Sequence, residues 1–184
     1  MISRRSFIAL FSGTMVSPAF AVEHPSVIFM NQMAKDLLHA HRLATVPAFL
    51  RVIQRYADVE GISNYSLGDY KVSSAEKMRY LRGVATFMSR YFVEQSRSYP
   101  VAKYEIGEAT LAENKDVMVA SRVYMMSGQT YSVNWQVSWI DGQYKIVDAK
   151  FLGFSMTYQQ RSLFTSFIAK HEGDVGKLII ALNR

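Results

Sequence analysis

The sequence predicts an α+β domain in which helices pack on one face of a curved antiparallel sheet of about four strands and enclose an apolar cavity. Three observations predict it. Apolar residues recur at helical spacing between residues 26 and 96, side chains alternate with a period of two from residue 103 to residue 151, and bulky apolar residues exceed what one core needs. Helices that flank a run of consecutive strands are typical of this class.

The 184 residues carry a formal net charge of +6, are 49% hydrophobic and include no cysteine. This length favours a single domain, since a chain of roughly 150 residues buries about 70% of its unfolded surface without covalent staples. The lack of cysteine excludes disulfides, thiol nucleophiles and cysteine-ligated metal centres. The net charge is too small to indicate nucleic-acid binding, and the Lys and Arg residues are too dispersed along the chain. It suits solubility, or transient contact with an anionic membrane surface or an acidic partner.

Residues 1–21 have the pattern of a secretory signal. Arg4 and Arg5 precede a mostly apolar run and a small-residue cleavage pattern that ends at Ala21. The residues around the two arginines also resemble the twin-arginine export motif, and paired arginines occur in general secretion signals too, so either export route is open. Cleavage removes both arginines and lowers the formal net charge from +6 to +4. We therefore expect residues 22–184 to form one exported, soluble domain.

Four helices are predicted ahead of the strands. The first is expected over residues 26–43 with Ser26 as N-cap, and the second begins at Thr45 and Pro47. The third is expected over residues 59–67 and is closed by Gly68. The fourth is a long helix that follows a Ser73–Glu76 capping box and ends near Ser96. The long helix carries two adjacent apolar rows, which are Met78, Leu81, Ala85, Met88 and Phe92, and Tyr80, Val84, Phe87 and Tyr91. Together they cover close to half of the circumference, so we expect this helix to contact two apolar surfaces.

The second half of the chain predicts a meander of strands. The expected strands are residues 103–110, 116–126, 130–140 and 143–151, with turns at Asn114–Lys115, Ser127–Gly128 and Asp141–Gly142. On the third strand Val133, Trp135 and Val137 alternate with polar residues, which indicates one apolar face and one wet face. Two amphipathic helices close the chain, carrying Leu163, Phe164, Phe167 and Ile168, and Val175, Leu178, Ile179 and Leu182.

The sequence contains no recognisable catalytic or metal-binding constellation. His39 and His41 lie two residues apart on a predicted helix, so they point to different faces and make a poor metal pair. The motifs of serine hydrolases, zinc metalloproteases, P-loop enzymes and dinucleotide-binding enzymes are absent. Asp148 is a candidate buried acid, and a hydrogen bond to a turn or to Arg161 is its structural alternative. We predict a protein that is not an enzyme, with no catalytic residue, no metal ligand and no cofactor.

The sequence contains more bulky apolar side chains than a single core requires. Besides the two rows on the long helix, Phe151, Leu152, Phe154 and Met156 continue an apolar run past the last predicted strand, where a polar turn is expected. Most of the ten methionines lie outside the signal, and Met suits irregular or adaptable apolar surfaces. A core filled with Met and a cavity between helices and sheet for an apolar ligand both account for this surplus.

Two stretches resemble a known family. Residues 147–156, Val-Asp-Ala-Lys-Phe-Leu-Gly-Phe-Ser-Met, followed by Arg161 and Phe164, resemble the C-terminal signature of the MlaC/toluene-tolerance family. Residues 62–70, Ile-Ser-Asn-Tyr-Ser-Leu-Gly-Asp-Tyr, are similar to its other recurring stretch. The order and spacing of these features match from about residue 30 to residue 182, nearly the whole exported chain.

The resemblance implies a periplasmic phospholipid-binding auxiliary component of an ABC-type lipid transport system. It implies a carrier of phospholipid between an outer-membrane lipoprotein complex and an inner-membrane ABC-type transport complex, which maintains the lipid asymmetry of the outer membrane. The implied cavity takes the acyl chains and leaves the headgroup outside. Tyr144 and Lys71–Val72 depart from the family pattern, where Trp is common, and these departures bear on lipid preference and partner contacts. We expect a monomer that binds no nucleic acid.

On this interpretation a set of apolar side chains forms the lipid-binding site. The set is Val84, Phe87, Met88 and Tyr91 on the long helix, Val119, Val123, Val133, Trp135 and Val137 on the sheet, and Phe151, Phe154 and Met156, which are expected to close one end. Three alternatives stay open: a carrier of a hopanoid- or sterol-like lipid, an exported protein-binding module with a filled core, and a small enzyme with a cone-shaped sheet. The last requires Asp148 to lie open in the cavity.

Overall fold

A computed structural model of the chain describes residues 24–112 and 116–184. The predicted signal of residues 1–21 and the predicted turn at Asn114–Lys115 lie outside the described residues. Within them, four helices precede a run of strands and two helices follow it, as predicted. The elements are α1 Pro25–Leu43, α2 Val46–Tyr56, α3 Val59–Ser66, α4 Lys77–Ser98, β1 Val101–Leu111, β2 Val117–Met125, β3 Thr130–Ile140, β4 Gln143–Phe151, β5 Phe154–Ser155, α5 Met156–Lys170 and α6 Val175–Leu182.

The strands form one open antiparallel sheet in the order β1-β2-β3-β4-β5, so each strand pairs with its neighbour along the chain. The α+β class and the antiparallel meander are confirmed. The two-residue strand β5 was not predicted; it pairs Lys150 with Ser155 and Phe151 with Phe154. It turns the chain back along the edge of β4 immediately before α5 begins.

Two helix starts differ from the prediction. α1 begins at Pro25 rather than at Ser26, and the ring of His24 accepts the N–H of Ser26 at 3.3 Å. α4 begins at Lys77, and Ser73 donates its hydroxyl to the carboxylate of Glu76 at 2.8 Å within a turn ahead of the helix. The predicted capping box is therefore wrong: these side chains bind each other rather than the free backbone N–H groups of the first turn.

The helices and the sheet form two apolar cores. The first lies between the inner face of the sheet and α1, α2 and α4; it includes Met30, Leu37, Phe49, Val93, Val119, Trp135 and Val137. The second lies among α4, α5 and α6; it includes Tyr80, Val84, Phe164, Ile168, Leu178 and Ile179. Because α4 contributes to both cores, its two apolar rows have the two contact surfaces that the sequence predicts.

Two hairpin turns share one backbone conformation. Asp141 and Gly142 join β3 to β4 with φ values of 49° and 77°, and Leu152 and Gly153 join β4 to β5 with φ values of 50° and 84°. Positive φ at both central residues is the type I′ pattern, which favours Asn or Asp followed by Gly. The first turn follows that preference and was predicted, whereas the second places a leucine where a left-handed backbone is costly.

Within the described residues, no helix combines the length and the hydropathy that crossing a bilayer requires.

Candidate functional site

An apolar cavity of about 370 Å³ lies between the first core and the second, alongside α4. This volume falls within the range of about 300–1,000 Å³ that is typical of small-molecule sites. Side chains from α1, α2, α3, α4, α5, β3 and β4 line it. They are Met33, Leu37, Val52, Ile53, Tyr56, Ala57, Ile62, Phe87, Met88, Tyr91, Phe92, Trp135, Ile146, Ala149, Met156, Thr157, Gln159, Gln160 and Leu163.

The floor of the cavity is formed by the sheet, and a β-bulge shapes it. Val137 pairs with Ile146 and Trp135 pairs with Ala149, so one residue of β4 is unmatched between these pairs. In a regular strand, residues three apart face opposite sides of the sheet. The bulge restores the alternation, and as a result both Ile146 and Ala149 lie on the cavity side.

The two long walls come from α4 and α5, which meet through Phe87 and Phe164 with ring centroids 5.2 Å apart. Farther along the pair, Tyr91 and Leu163 line the cavity and are also exposed, Leu163 by 55%. Gln159, another exposed lining residue, lies one turn before Leu163 on α5. The opening to solvent therefore lies between the outer parts of these two helices.

Of the predicted site residues, the structure brings one group together at the cavity: Phe87, Met88, Tyr91, Trp135 and Met156. A second group lies in filled core and does not line the cavity: Val119, Val123, Val133 and Val137 in the first core, and Val84 in the second. Since α1 packs directly over β1 and β2, helix side chains cover Val119 and Val123. Val84 points from α4 toward α5 and α6 rather than toward the sheet.

Phe151 and Phe154 were expected to close one end of the cavity, and the structure corrects this expectation. Phe151 is 38% exposed and Phe154 is 66% exposed, and neither lines the cavity. The physical reason is the turn at Leu152–Gly153, which folds the chain back on itself so that both rings stand at the end of the β4–β5 hairpin. Only Met156, the first residue of α5, returns to the cavity wall.

The lining residues that the sequence interpretation missed are mainly apolar side chains of α1 and α2 and amides of α5. They include Met33, Leu37, Val52, Ile53, Tyr56, Gln159 and Gln160. Several lie on the apolar stripes by which the helices were recognised. The stripe alone does not tell which of its members face another helix and which face an empty space.

No Asp, Glu, Lys, Arg or His belongs to the described lining, whose polar members are Tyr56, Tyr91, Thr157, Gln159 and Gln160. The Tyr56 hydroxyl donates to the carboxylate of Asp36 at 2.6 Å. Burial, and then this hydrogen bond, raise the pKa of Tyr56, so the phenol stays neutral at ordinary pH. Gln160 donates its amide to the Ser66 hydroxyl at 2.8 Å. The cavity can thus hold an apolar ligand by burial, because the polar groups of Tyr56, Thr157 and Gln160 are already hydrogen-bonded to protein.

Asp148 has a structural role. It is 8% exposed, and its Oδ1 accepts the backbone N–H of Thr157 at 3.1 Å and the Thr157 hydroxyl at 3.0 Å. Arg161 instead donates to the carbonyl of Tyr65 at 3.4 Å. The carboxylate therefore stabilises the first turn of α5, which is the turn alternative considered from the sequence. Among the described residues, no cluster of His, Asp or Glu could hold a metal ion.

The family model of the MlaC protein matches residues 30–184. No curated protein matches the chain. A solved structure, a phospholipid-binding protein from Ralstonia solanacearum in complex with a phospholipid, is similar with a TM-score of 0.69 at 16% sequence identity. The similarity covers 88% of this chain and 96% of that chain, and it shows a shared fold. Because the family model matches most of its length, the chain belongs to the MlaC family.

Proposed function

We propose that this protein is a periplasmic phospholipid carrier that moves lipid between an outer-membrane lipoprotein complex and an inner-membrane ABC-type transport complex, and so maintains the lipid asymmetry of the outer membrane. The observation that carries the proposal is the uncharged cavity of about 370 Å³ that opens between α4 and α5. Membership of the MlaC family and the likeness to a phospholipid-binding protein support it.

The acyl chains enter the cavity because its lining is apolar. Each methylene withdrawn from water contributes about 0.8 kcal/mol, so an acyl chain of about 16 carbons gains on the order of 10 kcal/mol. A bilayer offers the same chain a similar gain. The net free energy of transfer from bilayer to protein is therefore small, as a carrier that must both load and unload requires.

The headgroup stays in water at the opening, next to Tyr91, Gln159 and Leu163. A phosphate inside the cavity has no cation to neutralise it, since the described lining contains no Lys, Arg or His. Burying an unpaired charge costs far more than one acyl chain gains. This asymmetry between an apolar interior and a wet opening orients the lipid with its chains inward.

The filled-core alternative does not fit an open apolar cavity of this size, and the enzyme alternative does not fit Asp148, which is hydrogen-bonded at the start of α5 rather than open in the cavity. Both observations favour a binding and transport protein.

The test is to fill the cavity from its floor. Ala149 lines the cavity on β4, so Ala149→Phe places a ring in empty space and should reduce the phospholipid that co-purifies several-fold, as measured by solvent extraction and mass spectrometry. Ala120→Phe, which adds the same ring on the exposed outer face of β2, is the matched control and should retain lipid. Equal lipid in both folded variants would contradict this use of the cavity.

Transfer itself requires a second assay. We expect residues 22–184, which contain every described helix and strand, to carry a labelled phospholipid from donor vesicles to acceptor vesicles. Ala149→Phe should slow that transfer in proportion to its loss of bound lipid. Transfer at the wild-type rate by the filled variant would contradict carriage inside the cavity.

A further inference from the structure

An apolar tip projects from the end of the sheet beside the cavity; we define it as Phe151, Leu152, Gly153 and Phe154. Leu152 is 64% exposed and Phe154 is 66% exposed. The base of the tip is held by a ring contact between Phe151 and Tyr131, with centroids 5.4 Å apart. Three bulky apolar residues on four consecutive positions therefore face solvent from a fixed hairpin.

The turn residue Leu152 is the clearest sign that the tip is functional. Its φ of 50° matches the 49° of Asp141 in the other two-residue hairpin turn of the sheet, and both residues precede a glycine. Asp suits this left-handed position, whereas a bulky leucine is strained there. Leu152 gains little from burial in return. An exposed apolar side chain at a strained position points to selection for something other than folding.

The tip adjoins the cavity along the chain on both sides. Ala149, two residues before it, lines the floor, and Met156, two residues after it, lines the wall. Strand β5 pairs with the end of β4, so the hairpin connects Ala149 on the floor to Met156 at the start of α5. One turn further along α5, Gln159 reaches the opening. Whatever the tip contacts is therefore brought close to the mouth of the cavity.

Charge indicates what kind of surface the tip meets. Residues 149–170, from the end of β4 through α5, contain Lys150, Arg161 and Lys170 and no Asp or Glu. Asp148, just before this stretch, is buried and hydrogen-bonded to Thr157. Tyr158, 62% exposed, adds an amphipathic ring beside the tip. Apolar and aromatic side chains flanked by basic residues are the pattern of a peripheral contact with anionic lipid.

We propose that the apolar tip inserts into the interfacial layer of an anionic phospholipid bilayer and holds the opening of the cavity against it. The inference rests on the proposed carrier function and adds a direct membrane contact to it. Leu152 and Phe154 supply apolar burial, Tyr158 lies at the level of the headgroups, and Lys150 and Arg161 are attracted to the anionic surface. A single small tip gives weak and reversible attachment, which suits a protein that must leave the membrane again.

The test is co-flotation of residues 22–184 with vesicles made of phosphatidylcholine alone or of phosphatidylcholine with phosphatidylglycerol. The segment before residue 22 is left out because an apolar signal would bind vesicles by itself. We expect binding to the anionic vesicles and at least about tenfold weaker binding to the neutral ones, with high salt removing the difference, because surface charges are screened.

The decisive variant is Leu152→Asn with Phe154→Thr. Asn suits the turn and Thr suits the strand, so the fold is retained, and binding to anionic vesicles should fall about tenfold or more as apolar burial is lost. Leu111→Asn, which removes a leucine that is exposed by 77% from the opposite end of the sheet, should leave binding unchanged.

Three outcomes overturn the proposal: no binding of the wild-type chain to anionic vesicles, equal binding of the tip variant, or an equal loss in the Leu111 control. The first would assign the tip to a protein partner instead. Phospholipid retained inside the same wild-type and variant preparations, measured by extraction, reports on the proposed carrier function separately. Retained lipid without tip-dependent vesicle binding would reject the membrane contact alone.

Discussion

Trp135 donates its indole N–H to the hydroxyl of Ser121 at 2.8 Å, between neighbouring strands on the inner face of the sheet. Ser121 is 2% exposed and donates in turn to the carbonyl of Val133 at 3.3 Å. The polar atom of a large lining side chain is thereby satisfied by a neighbouring strand, outside the cavity lining, so that the face of the ring presented to a ligand is apolar. Buried indole N–H groups usually require such a partner.

The first prediction concerns this pair. Ser121→Ala leaves the buried indole N–H of Trp135 unpaired, so the free energy of unfolding should fall by about 1–3 kcal/mol in urea denaturation. Retention of lipid should fall as well, because the ring is no longer held. Ser132→Ala on the outer face of β3 is the control and should change stability by less than about 0.5 kcal/mol. Unchanged stability of Ser121→Ala would show that the hydrogen bond does not hold the ring.

The second prediction separates a structural from a chemical role for Asp148. Asp148→Ala removes the acceptor of the Thr157 N–H and hydroxyl and should lower the free energy of unfolding by about 1–3 kcal/mol. Asp148→Asn keeps an oxygen acceptor and should cost less. Glu108→Ala, on the exposed side of β1, is the control for loss of a carboxylate. A lipid-retention defect in Asp148→Asn without any loss of stability would contradict a purely structural role.

A third prediction concerns pH. The Nε2 atom of His41 accepts the N–H of Val101 at 2.9 Å, which requires a neutral ring, and burial lowers the pKa of His41 from its ordinary value of 6.5. The unfolded chain therefore takes up this proton first as the pH falls. The stability that neutral His41 contributes is fully present above about pH 6.5 and is lost as the pH falls through the lowered pKa.

His41→Gln retains an acceptor but does not titrate, so its free energy of unfolding should vary less between pH 7 and pH 5 than that of the wild type. Each unit of difference in pKa between the folded and unfolded chain is worth about 1.4 kcal/mol. His39→Asn, on the exposed face of the same helix, should keep the wild-type slope. Equal slopes for the wild type and His41→Gln would contradict the coupling.

The fourth prediction is a reciprocal exchange between the two hairpin turns. Leu152→Asn should raise the free energy of unfolding by about 1 kcal/mol, since Asn tolerates a φ of 50° better than Leu does. Asp141→Leu, at the matching position of the other turn, should lower it by a similar amount. Thermal unfolding of both variants checks the pair, and a destabilised Leu152→Asn would show that Leu152 contributes to folding after all.

The fold could be predicted because periodicity reports directly which side chains are buried. The alternation along β3 placed Val133, Trp135 and Val137 on one face, and they do lie on the inner face of the sheet. The two apolar rows of α4 likewise predicted its contact with two apolar surfaces. These patterns depend only on local geometry, which the sequence carries by itself.

The borders of the cavity could not be predicted in the same way. Val119 and Trp135 show the same alternation and pair with each other across β2 and β3, yet only Trp135 lines the cavity, because α1 covers the neighbouring strands. The bulge that brings Ala149 to the floor has no sequence signal comparable to a turn motif. Which members of an apolar face border empty space is decided by helix placement, a tertiary property.

The position of the apolar tip was predicted wrongly for a different reason. Bulky apolar side chains such as Phe151 and Phe154 usually indicate burial, and Leu-Gly is not a common type I′ turn, so the hairpin that exposes them was not recognised. The sequence departs from the rule at the place where the structure suggests a function beyond folding.

Native mass spectrometry of residues 22–184, followed by solvent extraction and lipid analysis, decides whether the protein carries phospholipid in its cavity. We expect an excess mass that extracts as phospholipid, that is lost in Ala149→Phe and that is kept in Ala120→Phe. A protein that shows only its own mass, and that remains so after incubation with phospholipid vesicles, would contradict this expectation.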